Sequence, residues 1–350
     1  MRFRTTIIWA ILSILAGVGC ATVQESRQSQ PESPYPDGDA GTGYTSAFPY
    51  RDISDQLNSV YRSVKRITIT GVYRIYYFEN QPVTLQQVRG GNLKKLASRS
   101  ITKDQSVAGT AISIAQDRRV TTLLTCAHIV QFPDTVIEYV SSNTEPQSEW
   151  IQTVAIKHDQ RNLINDDRYL APFEIKSVNS ADDLALIQVP MDYEPRIDLQ
   201  PLSIPLGNSR DLKWGSFVLV GGYPKGSAVI TRGIVSSPNR TERGDFLTDA
   251  LFNPGMSGGI ILASRDRFTS FEWVGIANTA SAEQEYLLVP DPGDQPSEKL
   301  LEPYGGYPYV EKKTRVAYGI TQAVPTADII DFLNENAALF KNSISELPRY

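Results

Sequence analysis

Three residues of this chain have the types and surroundings that nucleophilic catalysis needs: Ser257 in NPGMSGG, His128 in TTLLTCAH and Asp183 in SADDLALIQ. Cleaving an acyl bond at neutral pH takes an activated nucleophile, a proton shuttle, a group that orients the shuttle, and donors for the oxyanion. Ser257 is the candidate nucleophile. The small residues beside it let backbone approach a substrate closely, and glycine admits the angles that aim successive N–H groups into one hollow. The N–H groups of Gly255 and Ser257 are the expected oxyanion donors. His128, directly after an apolar strand, is the candidate base. The only other histidine, His158 in IKHDQ, lies among polar residues and reads as a surface side chain. Asp183, just ahead of an apolar run, is placed to take the imidazole Nδ1–H and fix the tautomer. Asp182 is its close competitor. Strand alternation would send the two carboxylates to opposite faces, and Asp183 is preferred because it directly precedes LAL. This set calls for no cofactor and no metal.

The elements that must hold these residues are mostly strands. The chain has 350 residues, 41% hydrophobic and 21% charged, enough for a sizeable core. With 24 glycines, 22 prolines and short apolar runs, it reads as a mainly β fold. The net charge of −5 is spread along the chain without a basic face, so no nucleic-acid partner is expected. Residues 51–66 place Ile53, Leu57, Val60, Tyr61 and Val64 at helical spacing, and 66–78 read as a strand. Residues 79–105 read as a surface excursion. GTAISI and VTTLLT bracket AQDRR as a hairpin, and 131–180 hold weaker strands. DLALIQV, FVLVGG, AVITRGIVSS, DFLTDA, GGIILAS, WVGIAN and VAYGITQAV then recur as short strands. Residues 281–313 interrupt the rhythm as a long loop. TADIIDFLNENAALF closes as a helix with Thr326 as N-cap and Ile329, Ile330, Leu333 and Phe340 as its apolar stripe. The order His, Asp, Ser suits two successive barrels, about 51–200 carrying His128 and Asp183 and about 201–325 carrying Ser257, in a domain spanning 51–345.

The N-terminus is of another kind. MRFR is a basic start and TTIIWAILSILAG an apolar stretch of signal-peptide length. GVGC then resembles the lipobox of bacterial lipoproteins, with Gly17 where leucine is usual. Residues 1–20 are therefore expected to be a signal peptide ending at a lipidated Cys20, with an uncleaved anchor helix as the alternative. Residues 21–50, rich in Ser, Gln, Pro, Gly and Asp, read as a disordered tether. Ala21 rather than Asp after the cysteine points to the periplasmic face of the outer membrane, as a lipoprotein of the bacterial cell envelope. The two cysteines are Cys20 and Cys126, so the mature body has no internal disulfide.

The chain resembles the trypsin-like serine proteases of chymotrypsin-like fold, and among them the bacterial HtrA/Deg group. TLLTCAHIV resembles that group's histidine motif, DDLALIQ its aspartate motif, and AVITRGIVSS with LTDALFNPGMSGGIIL its serine segment. Met256 and Cys126 depart from the pattern. The resemblance implies a chymotrypsin-like double β-barrel with a short N-terminal and a C-terminal helix. It implies a serine endopeptidase acting on protein or peptide substrates without a cofactor, and no PDZ domain is expected after the terminal helix. By the same resemblance Leu251 is the floor of the substrate pocket, with Asn278, Thr279 and Ala280 as its opposite wall. An uncharged floor would leave a substrate Lys or Arg without a counter-charge; Asp249, of the same strand parity as Leu251, is the alternative. The competing function is a catalytically inactive binding or chaperone-like lipoprotein, against which the intact triad argues.

For the anchor, Cys20→Ser should block lipid attachment and leave the protein unprocessed or without stable membrane association, since firm anchoring takes more than one acyl chain. Failure of radiolabelled palmitate to enter the wild-type protein in its host would contradict the lipid anchor.

Overall fold

The computed structural model describes residues 43–44, 52–140, 149–166, 168–192, 197–289 and 309–340; across 279–289 and 309–318 strand backbone alone is described. All of them fall in the compact unit Ala40–Tyr350. Cys20 lies outside the described residues, as does all but Gly43 and Tyr44 of the expected tether. Among the described residues no helix is long and apolar enough to cross a membrane.

Helix α1 (Ser54–Ser63) packs Leu57, Val60 and Tyr61 against the core and runs directly into β1 (Val64–Tyr77). Ile67 and Ile69 of β1 are fully buried, with half-buried neighbours between them, the alternation of a strand with one face inward. Two short helices, α2 (Leu85–Gly90) and α3 (Leu93–Leu96), follow, the first closed by a capping box between Thr84 and Gln87. The first half continues through β2 (Arg99–Gln116), β3 (Val120–Thr125), the single turn α4 (Ala127–Val130), β4 (Thr135–Tyr139), β5 (Ile151–Asn165), β6 (Leu170–Pro172), β7 (Glu174–Asn179) and β8 (Leu184–Pro190). These strands pair antiparallel in the order β4-β5-β1-β2-β3-β8-β7, with β6 on β5, as a half-barrel.

The excursion expected over 79–105 is thus partly strand. Residues 99–105 are exposed and polar, so they show no apolar pattern, yet their backbone completes a ladder that reaches Tyr77↔Arg99. The Arg99 guanidinium also lies 3.8 Å from the centre of the Tyr77 ring.

The second half comprises β9 (Phe217–Gly222), β10 (Val229–Ser237), β11 (Phe246–Thr248), β12 (Gly259–Ala263), β13 (Glu272–Val289) and β14 (Tyr309–Pro325), closed into a barrel in the order β10-β11-β14-β13-β12-β9. Every residue of β8 up to Val189, of β9 and of β12 is buried. That is why these strands read as continuous apolar runs rather than alternating ones. Each fully buried Leu, Ile or Val contributes about 1.5–3 kcal/mol relative to exposure. The loop expected over 281–313 is corrected: 281–289 belong to β13 and 309–313 to β14, which pair up to Val289↔Tyr309. Charged runs such as EKK carry no apolar pattern to mark a strand, yet their backbone pairs with β13.

The described part ends with α5 (Thr326–Glu335) and a 3-10 turn (Ala337–Phe340), so Phe340 of the expected stripe lies beyond the helix. Pro325, not Thr326, is its N-cap; the buried Thr326 hydroxyl instead accepts the Ser209 N–H at 3.1 Å. Phe332 is fully buried beside Ile329, an inward residue the expected stripe omits. Tyr44, within the stretch expected to be a free tether, is a core residue of the second barrel. Its hydroxyl donates to Glu272 at 2.8 Å and its ring lies 4.1 Å under the Arg265 guanidinium.

Candidate active site

The first half-barrel supplies the candidate base, His128, and the candidate acid, Asp183. Buried β3 delivers the chain to Cys126, and α4 then buries Ala127, Ile129 and Val130 while leaving His128 outward, its side chain 39% exposed. Asp183 closes a turn built by Asn179, whose side-chain oxygen accepts the N–H groups of Ala181 and Asp182. Asp183 has φ 54°, the left-handed region that aspartate tolerates better than most residues. There one carboxylate oxygen lies 2.7 Å from His128 Nδ1 and the other accepts the His128 backbone N–H at 2.8 Å. The Asp183 carbonyl also accepts the Ala127 N–H at 3.1 Å. The acid therefore holds both the ring and the turn that carries it. Asp182 faces away and accepts from Asn179 at 2.7 Å. The choice between the two is made by this turn, not by strand alternation. His158 is exposed on β5.

The second barrel supplies the loop of the candidate nucleophile, Ser257, and proline and glycine shape it. The Met256 N–H donates to the Asn253 carbonyl at 3.0 Å, with Pro254 and Gly255 between them and Gly255 at φ 104°. Proline fixes a negative φ at the first central position, so this is a type II turn, which demands glycine next. A second turn of the same kind follows: the Gly259 N–H donates to the Met256 carbonyl at 2.8 Å, with Gly258 at φ 82°. A Cβ on Gly258 would sit 2.0 Å from the Thr110 carbonyl oxygen, so no side chain fits there. The signal for both turns, Pro-Gly and Ser-Gly in succession, stands in the sequence.

These turns decide which backbone donors are committed. Met256, Gly258 and Gly259 each donate to a carbonyl, Gly258 to Ala277 at 2.8 Å. Among the described residues no backbone carbonyl takes the N–H of Gly255 or of Ser257. The Pro254 carbonyl is held by the Lys225 N–H at 3.1 Å, which turns the other edge of that peptide, the Gly255 N–H, the opposite way.

Thr110 of β2 joins the two halves, a role sequence reasoning missed. It is fully buried, its N–H donates to the Ser257 carbonyl and its hydroxyl to the Gly255 carbonyl, both at 2.8 Å. The same hydroxyl accepts the Tyr223 N–H at 2.9 Å, and the Thr110 carbonyl accepts from the Thr125 hydroxyl at 2.7 Å. Cys126 adds a smaller link, its thiol 3.7 Å from the Ala277 carbonyl. Burial, and then the Asp183 carboxylate, push that thiol well above its usual range. Cys126, His128 and Asp183 have ligand atoms within 4.8 Å of one another. A protonated thiol is a poor metal ligand and the carboxylate is engaged by the ring, so the set fits an acid–base pair better than a cation.

The residues of the expected pocket differ in exposure. Leu251 is 58% exposed, so it does not form an enclosed floor; the next residue, Phe252, is the one turned inward, at 7%. The Asp249 carboxylate accepts the Ile234 N–H at 2.7 Å, which ties it to β10. Asn278 is half-buried at the β-bulge between Ala277 and Thr279, while the side chains of Thr279 and Ala280 lie outside the description.

A trypsin-like peptidase domain matches residues 109–275. A DegP-like periplasmic serine endoprotease of Halomonas elongata is 36% identical over 102 residues, 27% of this chain and 20% of the relative. Serine protease PepD of Mycobacterium tuberculosis is 36% identical over 109 residues, 27% of this chain and 22% of the relative. The match thus spans about a fifth of each curated relative. Among solved structures, an HtrA-type protease AlgW with decapeptide aligns with TM-score 0.44 and 16% identity, over 81% of this chain and 67% of that one.

Proposed function

We propose that this chain, whose residues 109–275 match a trypsin-like peptidase domain, is a serine endopeptidase acting on proteins of the bacterial cell envelope. The observation that carries this reading is the Asp183–His128 bond of 2.7 Å, joined through Thr110 to a serine turn in which, among the described residues, no backbone carbonyl takes the N–H of Gly255 or Ser257. In the proposed reaction Ser257 Oγ attacks the substrate carbonyl and passes its proton to His128. Asp183 holds the imidazole in the competent tautomer and stabilises the imidazolium that forms. The N–H groups of Gly255 and Ser257 hold the oxyanion, a contribution of about 3–4 kcal/mol per donor in such sites. Collapse of the tetrahedral adduct expels the amine with the proton from His128. Water then attacks the acyl group on Ser257, giving its proton to His128, and the acid product leaves as Ser257 is restored.

The substrate class follows from the pocket segment. Its one carboxylate, Asp249, is tied to Ile234, and the inward side chain is Phe252, so a small or medium aliphatic residue is proposed before the scissile bond. A charged side chain there would lose hydration without compensation. Attachment at a lipidated Cys20, on the periplasmic face of the outer membrane, is proposed from the sequence pattern of the N-terminus, and the printed name of the Halomonas relative supports the periplasmic compartment.

The direct test is labelling of the purified protein with a fluorophosphonate probe: wild type should take one label at Ser257, and Ser257→Ala none. Equal casein cleavage by the two would end the reading. Digestion of a denatured proteome should give cleavage after aliphatic residues; predominant cutting after Lys and Arg would overturn the apolar pocket and make Asp249 the suspect.

A further inference from the structure

Helix α1 touches no proposed catalytic residue, yet one of its side chains closes the hairpin that holds the oxyanion turn. The last rung of the β9–β10 ladder is Gly222↔Val229. The Tyr61 hydroxyl sits on that rung. It accepts the Gly222 N–H at 3.2 Å, lies 3.1 Å from the Gly222 carbonyl and donates to the Val229 carbonyl. Its ring meets the Tyr223 ring edge-on at 6.0 Å, and the Tyr223 hydroxyl donates to the Val64 carbonyl at 3.3 Å. The loop between the rung's two residues is conformationally demanding. Lys225 has φ 50° and Gly226 φ 85°, and a non-glycine residue persists there only where its surroundings fix it. That strained residue is the one whose N–H holds the Pro254 carbonyl at 3.1 Å.

We propose that Tyr61 is a positioning residue for the reaction. Its hydroxyl pins both ends of the 223–228 loop, the loop presents the Lys225 N–H to Pro254, and this keeps the Pro254–Gly255 peptide turned with its N–H toward the oxyanion. The inference rests on the serine-protease reading. It places α1 in control of the oxyanion donors. Burial pushes the Tyr61 phenol above its usual range, so the hydroxyl keeps its proton throughout the working pH range.

The test is Tyr61→Phe, which keeps the ring and removes the hydroxyl, with Ser54→Ala at the exposed start of the same helix as control. Removing a whole oxyanion donor costs about a hundredfold or more in kcat. A donor that is loosened rather than lost should cost about tenfold in kcat, with KM within about twofold. Ser54→Ala should leave both unchanged. Amide hydrogen exchange reads the loop without turnover: protection at Lys225 should fall in Tyr61→Phe and hold in Ser54→Ala. Unchanged kcat or unchanged Lys225 protection in Tyr61→Phe would overturn the proposal. So would a parallel loss in Ser54→Ala, because the effect would then be general loss of stability. A wild type that neither takes the fluorophosphonate label nor cleaves casein, while Tyr61→Phe loosens Lys225, would instead overturn the protease reading.

Discussion

The two halves of the site are joined by four hydrogen bonds of Thr110. This one residue of β2 in the first half-barrel spends its N–H, both roles of its hydroxyl and its carbonyl on groups that must be held. Two of its partners, the carbonyls of Gly255 and Ser257, belong to the serine loop of the second barrel. A buried donor or acceptor left unmade costs about 1–3 kcal/mol, more than a typical made bond contributes. The four bonds thus act less as stabilisers than as constraints: any shift of the loop leaves several buried groups unsatisfied at once.

Around that constraint the rest takes its place. The Asp183 turn fixes the imidazole from one side, through the His128 backbone as well as the ring. Two type II turns fix the serine segment from the other, with Gly258 pressed against Thr110 and Gly255 turned by the Lys225–Pro254 bond. Donors that are held before substrate arrives need no reorganisation when charge develops, which is the larger part of such catalysis. The site is therefore a joint between two sheets, and neither half alone contains it.

Much of this was legible in the sequence, and the parts that were not share a cause. His128 and Asp183, which the structure brings together, and Ser257 stand out as candidates by type, order and flanking apolar runs, and fully buried strands such as LALIQV and GGIILA are easy to recognise. Strand 99–105 and the outer parts of β13 and β14 were missed because their charged and polar residues break up any apolar pattern, while their backbones pair with neighbouring strands. Thr110 was invisible because its importance lies in partners more than a hundred residues away, in a segment that reads simply as a strand. Tyr44 was hidden by its company, a core residue in a stretch of tether composition. Leu251 was placed by counting back from the serine, and a count does not say which of two adjacent side chains turns inward. The paired turns, by contrast, were written plainly as Pro-Gly and Ser-Gly.

The most direct measurement is the kinetics of Thr110→Val, which keeps the shape of the side chain and removes its hydroxyl, beside Thr110→Ser, which restores it. Without the hydroxyl the Gly255 carbonyl and the Tyr223 N–H lose their buried partner and the oxyanion turn is no longer held from behind. The expected result for folded Thr110→Val is a kcat lower by about ten- to a hundredfold with KM within about threefold, and recovery of most of that loss in Thr110→Ser. A folded Thr110→Val with wild-type kcat would contradict the claim that this threonine holds the site together.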